Sequence, residues 1–284
     1  MRWRFKRADG PVRGAAILFL ASAIGCLRLV SLERPHPAPS GAELVQIVTA
    51  RQASIRSLNA RARATSWLGG DRVRATVLML ADRDGRLRFE AEVSLQGTVA
   101  ILAAIGGEFV FLDVRAGVLR RGPACPENVA SLIRIPFAPR DVAAILMGDV
   151  PGVPETLAAA PAAPCTAADP CDVTWDAAAG TDVLAWRGIR IAFRQDKGRV
   201  RIVAVQSSTA AAPAWQVAYD DFETVDGVDL PRGIRFAEGG QSFDDGVEVK
   251  IKDRAINLPV PDAAFRITPP AGVATVEIGC GSRR

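Results

Sequence analysis

Residues 87–95 read Leu87-Arg88-Phe89-Glu90-Ala91-Glu92-Val93-Ser94-Leu95, with every odd position apolar and every even one polar. Successive side chains of a strand point to opposite faces, so this stretch predicts a strand with one dry face and one wet face. The same alternation recurs in Val247, Val249 and Ile251 against Glu248, Lys250 and Lys252, and in Ile189, Ile191 and Phe193 against Arg190 and Arg194. Turn sequences separate such runs: Gly69-Gly70, Asp82-Arg83-Asp84-Gly85, Gly106-Gly107, Asp196-Lys197-Gly198 and Asp226-Gly227. Hairpins in series make an antiparallel sheet.

Working outward, strands are expected near 60–67, 72–82, 86–95, 98–104, 108–114, 117–121, 172–177, 188–195, 199–207, 215–222 and 230–238, with 246–256 as one more. Ahead of them, Ser40 and Glu43 form a capping-box pattern. Leu44, Ile47, Val48, Ile55 and Leu58 then recur at helical spacing. Pro126 to Ile133 and Pro139 to Gly148 also read as helices, each with proline near its first turn, and the Ala/Pro-rich stretch 151–170 follows. A sheet of this many strands curls. The expected fold is therefore α+β, a curved antiparallel sheet forming an incomplete β-barrel with helices covering the open side. Its interior is either packed solid or left as an apolar cavity, which for acyl chains calls for roughly 300 to 1,000 Å³. Wall candidates are Val77, Met79, Leu87, Phe89, Val93, Ile101, Phe109, Ile191, Phe193, Ile234 and Val249.

The chain opens with Arg2, Arg4, Lys6, Arg7 and Arg13, followed by an uncharged run from Gly14 to Gly25. That is the pattern of a secretory signal, and the run falls short of the ~20 residues that span a bilayer. The next residues, Ala23-Ile24-Gly25-Cys26, resemble the lipobox of bacterial lipoproteins, although Ala23 stands where leucine is usual. The resemblance implies cleavage before Cys26 and acylation of its thiol, which would anchor the protein in the bacterial cell envelope. Leu27 lacks the acidic character of an inner-membrane retention signal, so the outer membrane, facing the periplasm, is the expected station. Residues 1–25 are then the signal peptide and 26–42 a tether. Pro35, Pro37 and Pro39 favour an extended, poorly packed spacer there. The folded domain is assigned to 43–270, with a loop at 149–171, and 271–284 form a tail.

Net charge is +4, but residues 1–25 hold five basic residues and one acidic, which leaves thirty of each sign in the remainder. A neutral folded part argues against a nucleic-acid partner. Four cysteines remain beyond Cys26, and four allow three pairings. The spacing favours Cys165 with Cys171, which leaves Cys125 for Cys280. A zinc site is disfavoured because no Cys-x-x-Cys pair occurs.

Catalytic signatures are scarce. The single histidine, His36, lies in the tether, and Gly-x-Ser-x-Gly does not occur. The acidic run from Asp220 to Asp229 lacks EF-hand spacing and reads better as a charged hairpin. Trp67, Trp175, Trp186 and Trp215 read as strand aromatics filling a core. No cofactor is expected.

In order along the chain, Leu58-Asn59-Ala60-Arg61-Ala62-Arg63-Ala64, Leu87-Arg88-Phe89-Glu90, Gly106-Gly107-Glu108-Phe109, Arg121-Gly122-Pro123 and Pro261-Asp262-Ala263-Ala264-Phe265-Arg266-Ile267 resemble the LolA/LolB-like family of bacterial envelope proteins. The resemblance implies an incomplete barrel that holds acyl chains without making or breaking a bond. An acylated member would look like the anchored receptor, which receives lipoproteins from a periplasmic carrier protein and places them in the outer membrane. That receptor carries an exposed apolar residue on a long loop after its third strand. Here the connection is only Leu95-Gln96-Gly97-Thr98, and Leu95 is the candidate for membrane delivery. The same fold also serves scaffold or stress-sensing modules whose interior is filled.

Overall fold

The computed structural model describes residues 32–68, 71–153, 165–166, 170–207 and 214–281. The signal sequence, Cys26 and most of the Ala/Pro-rich loop lie outside the described residues. Chain order is α1 (Gly41–Ser54), β1 (Ser57–Leu68), β2 (Asp71–Asp82), β3 (Leu87–Val93), β4 (Gly97–Ile105), β5 (Glu108–Asp113), β6 (Val118–Pro123), α2 (Pro126–Ile133), α3 (Pro139–Leu146), β7 (Asp172–Asp176), β8 (Thr181–Trp186), β9 (Ile189–Asp196), β10 (Arg199–Ser207), β11 (Trp215–Val225), β12 (Val228–Glu238), β13 (Val247–Ile256) and β14 (Ala274–Glu277). All fourteen described strands join one open, curved sheet in the order β14-β6-β5-β4-β3-β2-β1-β13-β12-β11-β10-β9-β8-β7. Every pairing is antiparallel except β14 on β6. The three helices cover the concave face, as expected from the sequence.

Two strands were not legible. In β8, Thr181 to Leu184 are all buried, which erases the alternation that marks a one-sided strand. In β14, all four residues are exposed, so no apolar face announces it. The first helix is shorter than its apolar spacing suggested. Its Ser40–Glu43 capping box is present, but the chain is already extended at Ile55, and Leu58 belongs to β1. Both residues are buried, at 0% and 1% exposure, Ile55 as the C-cap of the helix and Leu58 within the sheet.

The tether also differs from expectation, because residues 32–36 are docked. The Leu32 N–H donates to the Ala177 carbonyl at 2.9 Å, and the Trp175 indole N–H donates to the Leu32 carbonyl at 2.8 Å. Arg34 lies over the Trp175 ring and pairs with Asp182 at 2.9 Å, while His36 Nε2 stands 3.5 Å from the same carboxylate. The loop after α3 is likewise less superficial than expected, since Asp149, Val150 and Val153 are buried.

Two disulfides brace the domain. Cys125, the N-cap of α2, is bonded to Cys280, with Cα atoms 6.0 Å apart, and Cys165 to Cys171, 5.5 Å apart. The second packs against the start of α1. A Cβ on Gly41 would stand 2.4 Å from the Cys171 carbonyl oxygen, a clash that only glycine avoids.

A buried polar clamp fixes the helices to the sheet. Arg51 of α1 donates to the carbonyls of Met147, Gly148 and Asp229 at 2.9, 3.1 and 2.6 Å. Next to it, Arg83 reaches the Asp149 carboxylate at 2.6 Å, and the Tyr219 hydroxyl donates to the Asp149 carbonyl at 2.6 Å. Burial weakens the hold of the Arg51 guanidinium on its proton, an effect that Asp149, Tyr219 and Asp229 offset in part. Replacing Arg51 by Met would strand the carbonyls that end α3. We expect a loss of about 3 kcal/mol, the order found when a buried charged network is broken. It would be read as a lower urea midpoint with unchanged m, and a loss below about 1 kcal/mol would count against the clamp.

Tyr219 is the sole tyrosine. Burial pushes its hydroxyl well above the ordinary tyrosine range; Asp149 adds to this, and Arg51 and Arg83 oppose it. The folded state therefore keeps a proton that the unfolded chain releases. This contribution is complete below the unfolded value of about 10 and is lost as pH climbs beyond it. Tyrosinate absorbance should accordingly stay silent until the chain unfolds at alkaline pH. A titration completed near pH 10 with the fold intact would contradict the burial.

Candidate functional site: an alanine-floored cavity

Facing residues of an antiparallel pair lie on the same side of the sheet, so the register sorts the concave face into rows. One row runs Ala60, Met79, Phe89, Leu102 across β1 to β4. The next runs Ala62, Val77, Ala91, Ala100. Beyond it, Ala64 faces both Ala75 and Val249. Two consecutive rows are therefore rich in the smallest apolar side chain, and the space larger side chains would fill stays empty.

The result is a cavity of about 200 Å³ between this floor and a roof made by Leu132 and Ile133 of α2, Ile135 just beyond it, and Val142 and Leu146 of α3. Thr65 and Ser66 are the polar residues in its lining. It opens at the sheet end where Val73, 46% exposed, contributes to the wall. The volume falls short of the range expected for several acyl chains and suits a single slender apolar group.

Of the wall candidates, Val77, Met79, Phe89, Val93 and Val249 line this cavity. Leu87, Phe109, Ile191, Phe193 and Ile234 do not line it; they are solid core. Ile101 is a correction of another kind. Leu102 faces Phe89 across the pair, whereas Ile101 faces Glu90, so Ile101 belongs to the other side of the sheet. The missed residues are Ala64, Ala75, Ala91 and Ala100, whose signal was small apolar side chains at the alternating positions of adjacent strands.

The far half of the concave face is filled. Trp186, Phe193 and Phe236 are buried, and Phe137 after α2 packs edge-on against Trp215 and Phe236 at 5.1 and 5.9 Å. Trp175 differs from the other described tryptophans in receiving the tether, and the Trp67 side chain lies outside the described residues. In the acidic run, Asp220 pairs with Arg235, Glu223 with Arg254, and Asp229 with Arg199 and Arg201. Burial raises the Asp229 carboxyl, but the hydrogen bonds from Thr224 and Arg201 and the nearby arginine charges outweigh it and hold the group below its usual range. These carboxylates are occupied as a charged hairpin requires. Cys125, Glu127 and Cys280 lie close enough to suggest a metal site, but both sulfurs are spent in the disulfide.

Leu95 sits at the tip of the β3–β4 turn in left-handed backbone, φ 67°, and is fully exposed. The turn follows Val93 and precedes Val99, two lining residues, so it stands beside the cavity mouth. Val114, in the β5–β6 turn at the same sheet end, is also exposed.

No family model and no curated protein matches the chain. Among solved structures, it is similar to a DUF1329-family protein from Desulfovibrio piger, at 10% identity over 80% of this chain and 95% of that one, with a TM-score of 0.52. A protein domain from Vibrio parahaemolyticus named for outer-membrane lipoprotein sorting aligns at 12% identity over 79% and 95%, TM-score 0.49. A LolA-superfamily protein from Nitrosomonas europaea aligns at 13% over 78% and 97%, TM-score 0.48. The first likeness establishes a shared fold. That fold is the open curved sheet with helices on its concave side that the resemblance to the LolA/LolB-like family implied.

If the alanines create the cavity, filling them should close it. The pair Ala91→Leu and Ala100→Leu should cut uptake of a fluorescent fatty acid at least tenfold while costing less than about 1 kcal/mol, because the new methyl groups occupy existing space. Undiminished uptake would place the site elsewhere.

Proposed function

We propose that this is a lipid-anchored bacterial envelope protein that takes an acyl chain of a lipid or lipoprotein into the cavity above β1 to β4, in lipoprotein localisation to the outer membrane. One observation carries the reading: an apolar, alanine-floored cavity opens at the sheet end that also presents an exposed leucine. Apolar walls with two hydroxyl-bearing residues at the rim suit an alkyl chain and offer nothing to polarise a bond. The reading includes an anchor on Cys26, loading by a periplasmic carrier protein, and delivery through Leu95 in contact with the membrane. It makes the protein a binding protein and not an enzyme.

A second reading, a non-transporting scaffold or stress-sensing module, draws on the solid packing of the β8 to β12 half. The modest volume of the cavity favours it too.

The two separate in one measurement. Protein lacking residues 1–26, purified without detergent, should carry a co-purifying lipid in native mass spectrometry or take up a fluorescent fatty acid in about equimolar amount. A clean apo mass with no uptake would favour the scaffold. Leu95→Glu should leave uptake intact and slow transfer to vesicles several-fold, and equal transfer would remove Leu95 from delivery. Cys26→Ser should release the protein from membranes.

A further inference from the structure

The antiparallel succession sorts the turns into two ends. The β3–β4 turn with Leu95 lies at the end where the cavity opens, and the β7–β8 turn, residues 177–180, lies at the opposite end. The docked segment of the tether is fastened at this second turn, through Ala177, Trp175 and Asp182. We propose that Leu32–His36 is a releasable strap that decides which end of the barrel can meet the membrane holding the anchor. The proposal rests on the Cys26 anchor and on the Leu95 reading above.

Chain length supplies the reason. While Leu32 is docked, only residues 27–31 separate it from Cys26, a reach of at most about 22 Å. Strand β1, with 12 residues, measures about 40 Å along its axis. With the strap docked, the anchor holds the β7–β8 end near its own membrane and turns the cavity mouth and Leu95 away, toward an incoming carrier. Release of the strap frees residues 27–39 as the leash, about 45 Å when extended. That length lets the mouth swing to the membrane and deliver.

The contacts suit release. Glu33, Pro35 and Pro37 are exposed, so the segment lies on the surface. The helix behind it begins at its own capping box and needs no help from the strap: the Glu43 amide donates to the Ser40 hydroxyl at 3.2 Å, and the Ser40 amide to the Glu43 carboxylate at 2.7 Å. Docking also leaves Arg34 Nε and Thr181 Oγ1 buried without a hydrogen-bond partner. Water would satisfy both on release, which offsets the loss of the Arg34–Asp182 pair. The recognition chemistry is compact: a carboxylate with a 4% exposed side chain for the arginine, an indole shelf for its guanidinium plane, and Gly180 beneath Leu32. A Cβ on Gly180 would stand 3.0 Å from Leu32 Cδ1.

The test uses full-length lipidated protein in phosphatidylethanolamine/phosphatidylglycerol vesicles, as wild type and as Trp175→Phe and Asp182→Asn. Trp175→Phe removes one hydrogen bond at a partly exposed position and guards against misfolding of the second variant. Hydrogen exchange of the Leu32 amide should be at least tenfold slower in the wild type than in either variant, with β9 and β10 unchanged. A polarity-sensitive dye on Leu95→Cys should brighten at least threefold in the strap variants. Equal exchange at Leu32, or equal dye emission, would overturn the strap. The readings beneath it fail separately: the anchor fails if Cys26→Ser still floats with vesicles, and the Leu95 reading fails if the dye also stays dim on protein lacking residues 1–26 given the same vesicles.

Discussion

An arginine buried among helices is costly unless every donor finds an acceptor, and the position of Arg51 follows from that demand. The unpaired carbonyls at the end of α3 form the negative end of a short helix dipole, and Arg51 reaches them from α1. Its third bond goes to β12 at Asp229, so one guanidinium ties two helices to the sheet. The chain accommodates this by turning left-handed at Gly148, where a Cβ would collide with the Pro231 ring. Asp149, the next residue, then draws in Arg83 from the β2–β3 turn and Tyr219 from β11. The height of α3 above the sheet, and with it the roof that Val142 and Leu146 place over the cavity, is thus set by polar chemistry and not by apolar packing alone.

Much of this architecture could be read from patterns of two and three to four residues. The alternation in 87–95, the glycine-rich turns and the capping box at Ser40 each reflect a local rule, and the corresponding elements exist. What escaped reading lacked a local signature. Strand β8 is buried on both faces from Thr181 to Leu184, and β14 is wet on both, so neither alternates. The inner side of β4 is carried by its even positions, a fact decided by pairing with β3 and invisible in β4 alone; hence Ile101 was placed on the wrong side. The clamp joins residues from 66 to 178 positions apart, a distance no periodicity spans.

The cavity illustrates a related asymmetry. A sequence shows which side chains are large, so it points to walls; a void depends on which are small, and in which neighbouring strands. Ala91 and Ala100 are unremarkable singly and matter because the register sets them side by side. Across the sheet the opposite choice prevails, with aromatic rings closing the β8 to β12 half. One continuous sheet thus carries a half closed by aromatic rings and a half with room to spare.

The bond between Cys125 and Cys280 spans 155 residues, and its second partner arrives almost at the end of the 284-residue chain. Everything from Cys125 to Cys280 must therefore be made before this brace can be fastened. Strand β14, laid alongside β6 and tied down next to α2, is the described strand furthest along the chain. Closing the brace is an oxidation, so the edge of the sheet is held by a bond that reduction would undo.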